Sequence, residues 1–242
     1  MREFEISRET SIEASQQETW AAITTGSAGW LWPQPELAGD AEGGAPGAGG
    51  PIVEWDPPHR FVGYETGENG WYNRLEAQVT AREDGGSLLR WVHSGVFVDD
   101  WDDQYDGVSQ HTDFYLHTLV QYLAHFRGRD AVWTHVEAPV GGPGGAPDAL
   151  DVLRAALGIR GEATVGDEIT VALPSGPTSA VLDYLHPHFV GLRTDDALVR
   201  VFGRHAFGHV IGVAVHDFAA SPSSSQDTAA AWTSLLERTY TA

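Results

Sequence analysis

The chain has 242 residues, 42% of them hydrophobic, with nine Trp, nine Phe and seven Tyr. That is enough apolar material for a packed core in one large domain or two small ones, and it excludes global disorder. The formal net charge is -20 and all 14 basic residues are Arg; such a field favours solubility and excludes nucleic acid and anionic membrane as partners. The chain has no Cys, which removes disulfides and thiolate chemistry.

In chain order, Phe4, Ile6, Arg8, Thr10 and Ile12 share one parity, which predicts a long half-buried strand. Ser15 with Glu18 three residues later predicts a capped helix start, with Trp20 and Ile23 facing inward and Gly26 ending the helix. Trp30-Leu31-Trp32-Pro33 follows, then a Gly-, Ala- and Pro-rich stretch from Glu36 to Pro51 that reads as a shortened hairpin region. Strands are expected at Ile52–Trp55, Arg60–Thr66, Trp71–Arg82 and Ser87–Phe97, separated by Asp56-Pro57-Pro58, Gly67–Gly70 and Asp84-Gly85-Gly86. In the third of these, Trp71, Asn73, Leu75, Ala77 and Val79 form the core face; in the fourth, Leu89, Trp91 and His93 do. Five Asp between 99 and 106 suit the positive end of a helix dipole better than a calcium loop, whose glycine and terminal Glu are missing. A long helix is expected from Tyr105 to Arg127, with Val108, Tyr115, Leu119, Tyr122 and Phe126 on its apolar side.

The second half repeats this order. A strand at Asp130–Ala138, a helix at Asp148–Leu157, four or more strands and a last helix at Gln226–Tyr240 are expected. His186-Pro187-His188-Phe189-Val190-Gly191 echoes 58–63, and Ala214-Val215-His216-Asp217-Phe218 stands in the place of 91–95. Two tandem units, 1–128 and 131–242 with the second degenerate, compete with one domain plus an unrelated α+β extension.

The stretch "ISRETSIEASQQETWAAIT", then Trp30-Leu31, then Glu54–Phe61, then Gly85–Gly95 resembles, in that order, the START-like (Bet v 1-like) superfamily, and within it the Hsp90-ATPase-activator homologue-like branch. The resemblance spans Arg2 to Gly128. It implies an α+β helix-grip fold, a curved antiparallel sheet wrapped around a long C-terminal helix. It does not fix a function, since the superfamily hosts carriers, cyclases and co-chaperone domains.

Three functions follow as expectations. The first is non-catalytic binding of a small hydrophobic or aromatic molecule between sheet and helix, lined by Trp30, Trp32, Trp71, Asn73, Trp91, His93, Tyr115 and Leu119; the same aromatics could equally be core filling. The second is a cyclase/aromatase- or hydrolase-like enzyme with His93 and Glu65 as acid/base groups, although strand parity leaves the direction of Glu65 open. The third is a chaperone-linked role with a basic protein partner, implied only by the resemblance. His186, His188, His205, His209 and His216 crowd one region, yet no Asp, Glu or Cys stands at a recognised metal spacing, so no metal and no cofactor is expected. The start of the chain has no basic-then-apolar pattern and no stretch approaches about 18 apolar residues. Neither secretion nor a membrane span is expected, and the expected location is the cytoplasm.

Overall fold

The computed structural model describes residues 2–34, 46–47, 50–97, 101–221 and 224–241. The chain divides into two compact units, Met1–Asp130 and Ala131–Ala242.

The first unit runs β1 (Arg2–Ile12), α1 (Gln16–Ile23), β2 (Pro46–Gly47), β3 (Gly50–Asp56), β4 (Arg60–Thr66), β5 (Tyr72–Ala81), β6 (Ser87–Phe97) and α2 (Trp101–His125). Its six strands form one antiparallel sheet in the order β1-β6-β5-β4-β3-β2. The alternation in β1 is realised: Phe4, Ile6 and Ile12 are buried while Glu3, Glu5 and Ser7 are exposed. Ser15 caps α1 through a complete capping box with Glu18, which satisfies two helix-end N–H groups at once. The helix ends at Thr24 rather than Gly26: the Thr24 N–H makes the last helical bond, to the Trp20 carbonyl, which also accepts from the Thr24 hydroxyl, and the Thr24 backbone leaves helical geometry (φ −116°, ψ −93°). Of the Glu36–Pro51 stretch, most lies outside the described residues; Pro46 and Gly47 pair with Pro51 and Gly50.

Between β4 and β5, Asn69 (φ 57°) and Gly70 (φ 79°) occupy the left-handed region. Trp71 N–H closes the turn onto the Glu68 carbonyl at 3.1 Å. Two consecutive positive-φ residues match the right-handed twist of a hairpin, and Asn-Gly is the pair that tolerates them. This turn sets the β4–β5 register. Helix α2 begins four residues before its expected start, at Trp101, so its first turns run through the acidic segment; Asp99 and Asp100 lie outside the described residues. Gly128, at φ 76°, stops the chain from continuing as a helix. Phe114 and Leu119 are fully buried, with Leu116, Tyr122, Leu123 and Phe126 nearly so, and α2 contacts β1 and α1.

The second unit runs β7 (Val132–Glu137), α3 (Ala149–Ala156), β8 (Glu168–Leu173), β9 (Gly176–His186), β10 (Phe189–Arg193), β11 (Ala197–Phe202), β12 (Gly212–Asp217) and α4 (Ser225–Tyr240). Its sheet order, β7-β12-β11-β10-β9-β8, is that of the first unit. Each unit is thus α+β with a helix-grip order: a strand, a helix, five more strands and a C-terminal helix. Among the described residues no helix is long and apolar enough to cross a membrane.

The sequence echo between the halves does not survive at the level of sheet faces. In the first unit Phe61 packs near Trp20 of α1. In the second, the core formed with α3 and α4 takes Val190, Leu192, Val199, Val201, Val213 and Val215, so Phe189 and Ala214 point to the opposite face. A one-residue offset inverts every side chain of a strand; Phe189 and Phe61 are therefore not equivalent, and His216 does not occupy the place of His93.

On that opposite face a buried ion pair crosses β10. Asp183 is the extra residue of a bulge in β9: Leu182 pairs with Leu192 and Tyr184 with Gly191, which leaves it between them. Its carboxylate accepts from both Arg200 Nη atoms at 2.8–3.1 Å, with side-chain exposures of 1% for Arg200 and 3% for Asp183. Gly191 lies beneath; a Cβ there would sit 2.2 Å from Asp183 Oδ1 and 2.6 Å from an Arg200 Nη. No other residue type fits at 191 without displacing the pair.

Two stability predictions follow from these placements. Asp183→Asn leaves a buried guanidinium without its countercharge and should destabilise by about 3–5 kcal/mol in urea unfolding; a loss under about 1 kcal/mol would contradict the pairing. Leu119→Asp places an unpartnered carboxylate in the α2 core and should lower stability by several kcal/mol; a melting temperature close to wild type would contradict the position of the helix.

Candidate functional site

The site in the first unit is built on the β1–β6–β5–β4 ladder. Trp91 lies opposite Arg8 and Ala77, His93 opposite Ile6 and Leu75, and Gly95 opposite Phe4 and Asn73. Directly opposed residues share a face, so Phe4, Ile6, Arg8, Leu75, Ala77, Trp91 and His93 all look toward the helices. The Arg8 guanidinium reaches Asp113 at 2.5 Å and Ser109 at 2.8 Å, which sets 109–113 of α2 over the Trp91 level. The other end of α2 lies toward the β6 start, where Arg127 bonds Glu18 and Thr19 bonds Ser87. The first half of α2 therefore covers the His93–Phe97 end of the sheet.

The β6-start end is sealed. Rings follow one another in the order Trp55, Trp20, Phe61, Trp91, Trp30, with centroids 5.1–6.4 Å apart and mostly edge to face. Trp30 is 1% exposed, and its Nε1–H donates to the Ala22 carbonyl at 2.9 Å. Leu89, Ala77, Val79 and Leu119 are completely or almost completely buried. Of the expected ligand contacts, Trp30, Trp91 and Leu119 thus belong to packed core.

Toward the other end burial is uneven: Asn73, His93, Val108, His111 and Tyr115 are each only partly buried, while Phe4, Ile6 and Leu75 beside them are buried. Trp32 is 40% exposed; its ring stands 5.8 Å from that of Tyr115, which in turn lies 6.1 Å from His111. Trp71 corrects an expectation. It falls just outside β5, six residues from the partner of Trp91, so about 20 Å of strand separates the two. Its indole lies against the turn, where a Cβ on Gly67 would approach Trp71 Cε3 to 2.9 Å.

The polar centre of the partly open end is a His–Asn pair. His93 Nε2 and Asn73 Oδ1 are 2.7 Å apart; the amide oxygen can only accept, so the imidazole carries its proton on Nε2. The Phe4 ring meets His93 edge-on at 5.1 Å and would meet a Cβ on Gly95 at 2.8 Å. Burial among these apolar groups pushes the His93 pKa down to about 4, because the imidazolium would lose its hydration. His93 is therefore neutral at pH 7.

The structure also settles the parity of Glu65. It lies directly opposite Asn73 and so on the helix-facing side, exposed at the rim. A signal for this was present: the Asn69-Gly70 turn fixes Thr66 opposite Tyr72, and the rest of the β4–β5 register follows. Two features gave no such signal. Asp113 neutralises Arg8 from 105 residues away. Glu76, on the far face of the sheet and 8% exposed, is held by Arg74 at 2.6 Å and Arg60 at 3.0 Å. Arg60 and Arg74 lower its pKa against the opposing effect of burial.

In the second unit the rings of His186, His188 and His205 form a chain, each 5.6 Å from the next, and His188 N–H donates to His186 Nδ1 at 3.2 Å. Burial and the two neighbouring imidazoles lower the His188 pKa. His216 lies in β12, 2% exposed, and His209 is exposed. Among the described residues no three His, Cys, Asp or Glu side chains are grouped so as to hold a metal ion.

No family model matches the chain, and no curated protein does. Among solved structures, the chain is similar to DynU16, a protein in the dynemicin biosynthetic locus, at 15% identity and a TM-score of 0.39 over 96% of each chain. It is similar to CalU16 from Micromonospora echinospora at 16% identity and a TM-score of 0.39, over 51% of this chain and 85% of that one. The Aha1 dimer from Colwellia psychrerythraea gives 18% identity and a TM-score of 0.36, over 50% of this chain and 96% of that one. At scores this low the fold assignment rests on the strand order and helix placement described above.

A pH prediction follows from His93. Its folded pKa, about 4, lies below the unfolded value of roughly 6.5. The stability that it contributes is complete above pH 6.5 and is lost as pH falls toward 4, by about 2 kcal/mol at pH 5. The stability difference between wild type and His93→Gln, measured by urea unfolding, should shift against the wild type by that amount between pH 7.5 and pH 5. A difference independent of pH would contradict a buried neutral imidazole.

Proposed function

We propose that the first unit binds a small apolar or aromatic molecule at the partly open end of its grip, without catalysing a reaction on it. The observation that carries this is the His93–Asn73 pair: two uncharged, hydrogen-bonded polar groups, each only partly buried, beside the apolar Phe4, Ile6 and Leu75. A mostly apolar recess with a few oriented polar groups is what small-molecule sites have in common. Trp32 with Tyr115 forms an aromatic rim.

One observation favours an enzyme instead, namely that Glu65 shares the face of His93 and stands one strand beyond Asn73. Against it, a base held near pKa 4 is poorly matched to proton transfer at neutral pH, and the imidazole Nε2 is engaged by Asn73. Membership of the START-like superfamily and its Hsp90-activator branch, the division into tandem domains 1–128 and 131–242, and a cytoplasmic location belong to the same proposal. The shared strand order of the two sheets supports the duplication.

Native mass spectrometry of freshly purified protein, with tryptophan quenching by apolar aromatic probes, tests the binding. One probe per chain, saturable quenching and at least tenfold weaker binding by His93→Leu at unchanged far-UV circular dichroism are expected. Chemical conversion of the bound molecule over time would favour the enzyme, and no saturable binding would remove the function.

A further inference from the structure

The charges on the helix-facing surface are few and of unequal availability. Along the described strands only Arg2, Arg8 and Glu65 carry full charge on that face. Arg8 is held by both Asp113 oxygens, at 2.5 and 3.2 Å, and by Ser109, so its charge is spent. Arg2 stands at the exposed start of β1, opposite Phe97. It is three strands from β4 in the sheet order, and it already has an interaction partner. Helix α2 carries four Asp and no Arg or Lys between Trp101 and His125, and α1 carries Glu18 alone. Glu65 is different: its carboxylate is exposed at the rim, one strand from Asn73 and in the same row as Phe4 and Gly95. Gly50, with φ 100°, lets β3 pass close against it; a Cβ at 50 would be 2.4 Å from the Glu65 Cβ.

We infer that the site selects by charge: it takes an aromatic molecule that bears a protonated amine, whose ammonium group pairs with Glu65 while an uncharged polar group meets His93 and Asn73. Carboxylates are disfavoured because no available cation among the described residues faces them and the nearest polar pair is neutral. This rests on the binding site proposed above and adds the chemical class of its ligand.

A matched series separates the two claims. Naphthalene probes carrying an aminomethyl, a hydroxyl or a carboxylate group at the same position are titrated by tryptophan quenching, in roughly 0.15 M salt so that the general field of the -20 chain is screened beyond about 8 Å. The aminomethyl probe should bind most tightly and the carboxylate most weakly. Glu65→Gln should weaken the aminomethyl probe about threefold, as for an exposed ion pair, and leave the hydroxyl probe unchanged. Because that substitution removes only one of many negative charges, the general field cannot produce this pattern. If the hydroxyl probe binds but the carboxylate binds equally well, or if Glu65→Gln leaves the aminomethyl probe unaffected, the charge selectivity is overturned and the site stands. If no probe binds, the site and the selectivity fall together.

Discussion

The β1–β6–β5 ladder decides which side chains of the first unit can meet. With Ile6 and Leu75 opposite His93, and Arg8 and Ala77 opposite Trp91, one face of three strands becomes the floor on which α2 rests. Slipping any of these strands by one residue would send Glu5, Ser7, Arg74 and Glu76 inward and expose Trp91. No helix could then pack there. The turns that hold the register are short and chemically specified. Asn69-Gly70 fixes β4 against β5. Between β5 and β6, Gly85 takes a positive φ and Asp84 accepts from the Gly86 N–H. The site inherits its geometry from these turns, since His93, Asn73 and Glu65 come from three different strands and converge only in this register.

The two units keep polar groups inside by different means. In the second unit a full ion pair is buried, with a glycine beneath it and a bulge to aim the carboxylate. Such a pair is costly to desolvate and more costly to break, so Asp183, Gly191 and Arg200 constrain one another. In the first unit the far face of the sheet carries Glu76 between Arg60 and Arg74, whose guanidinium groups stay partly exposed, and the helix-facing side carries Arg8–Asp113 at its border. On the helix-facing side His93 escapes the desolvation cost by staying neutral. A neutral imidazole with an amide partner can reorganise around a guest at little cost, whereas a bidentate ion pair cannot.

Much of the architecture could be read from the chain. Period-two burial in β1, the Ser15–Glu18 capping box and the Asn-Gly turn are local signals, and local signals carry over into structure whenever tertiary packing agrees with them. The site was only half legible. His93 and Asn73 stand on the core faces of their predicted strands, yet their hydrogen bond depends on the two-residue stagger between Asn73 and the partner of His93, which follows from the length of the β5–β6 turn. Trp71 matched the alternation but lies beyond the strand end, where the chain turns and parity no longer places a side chain. The likeness of 186–191 to 58–63 misled for a related reason: matching letters carry no information about which face of the sheet they occupy.

The central claim is that His93 is a neutral, Asn73-bonded imidazole at a site that receives a small molecule. Long-range ¹H–¹⁵N correlation spectra of the histidine side chains measure this directly. The account predicts that at pH 7 the His93 ring is uncharged with its proton on Nε2, and that its nitrogen signals shift on saturation with an aromatic probe while those of His186 and His188 stay in place. An imidazolium at pH 7, or a saturated probe that leaves the His93 signals unmoved, would contradict it.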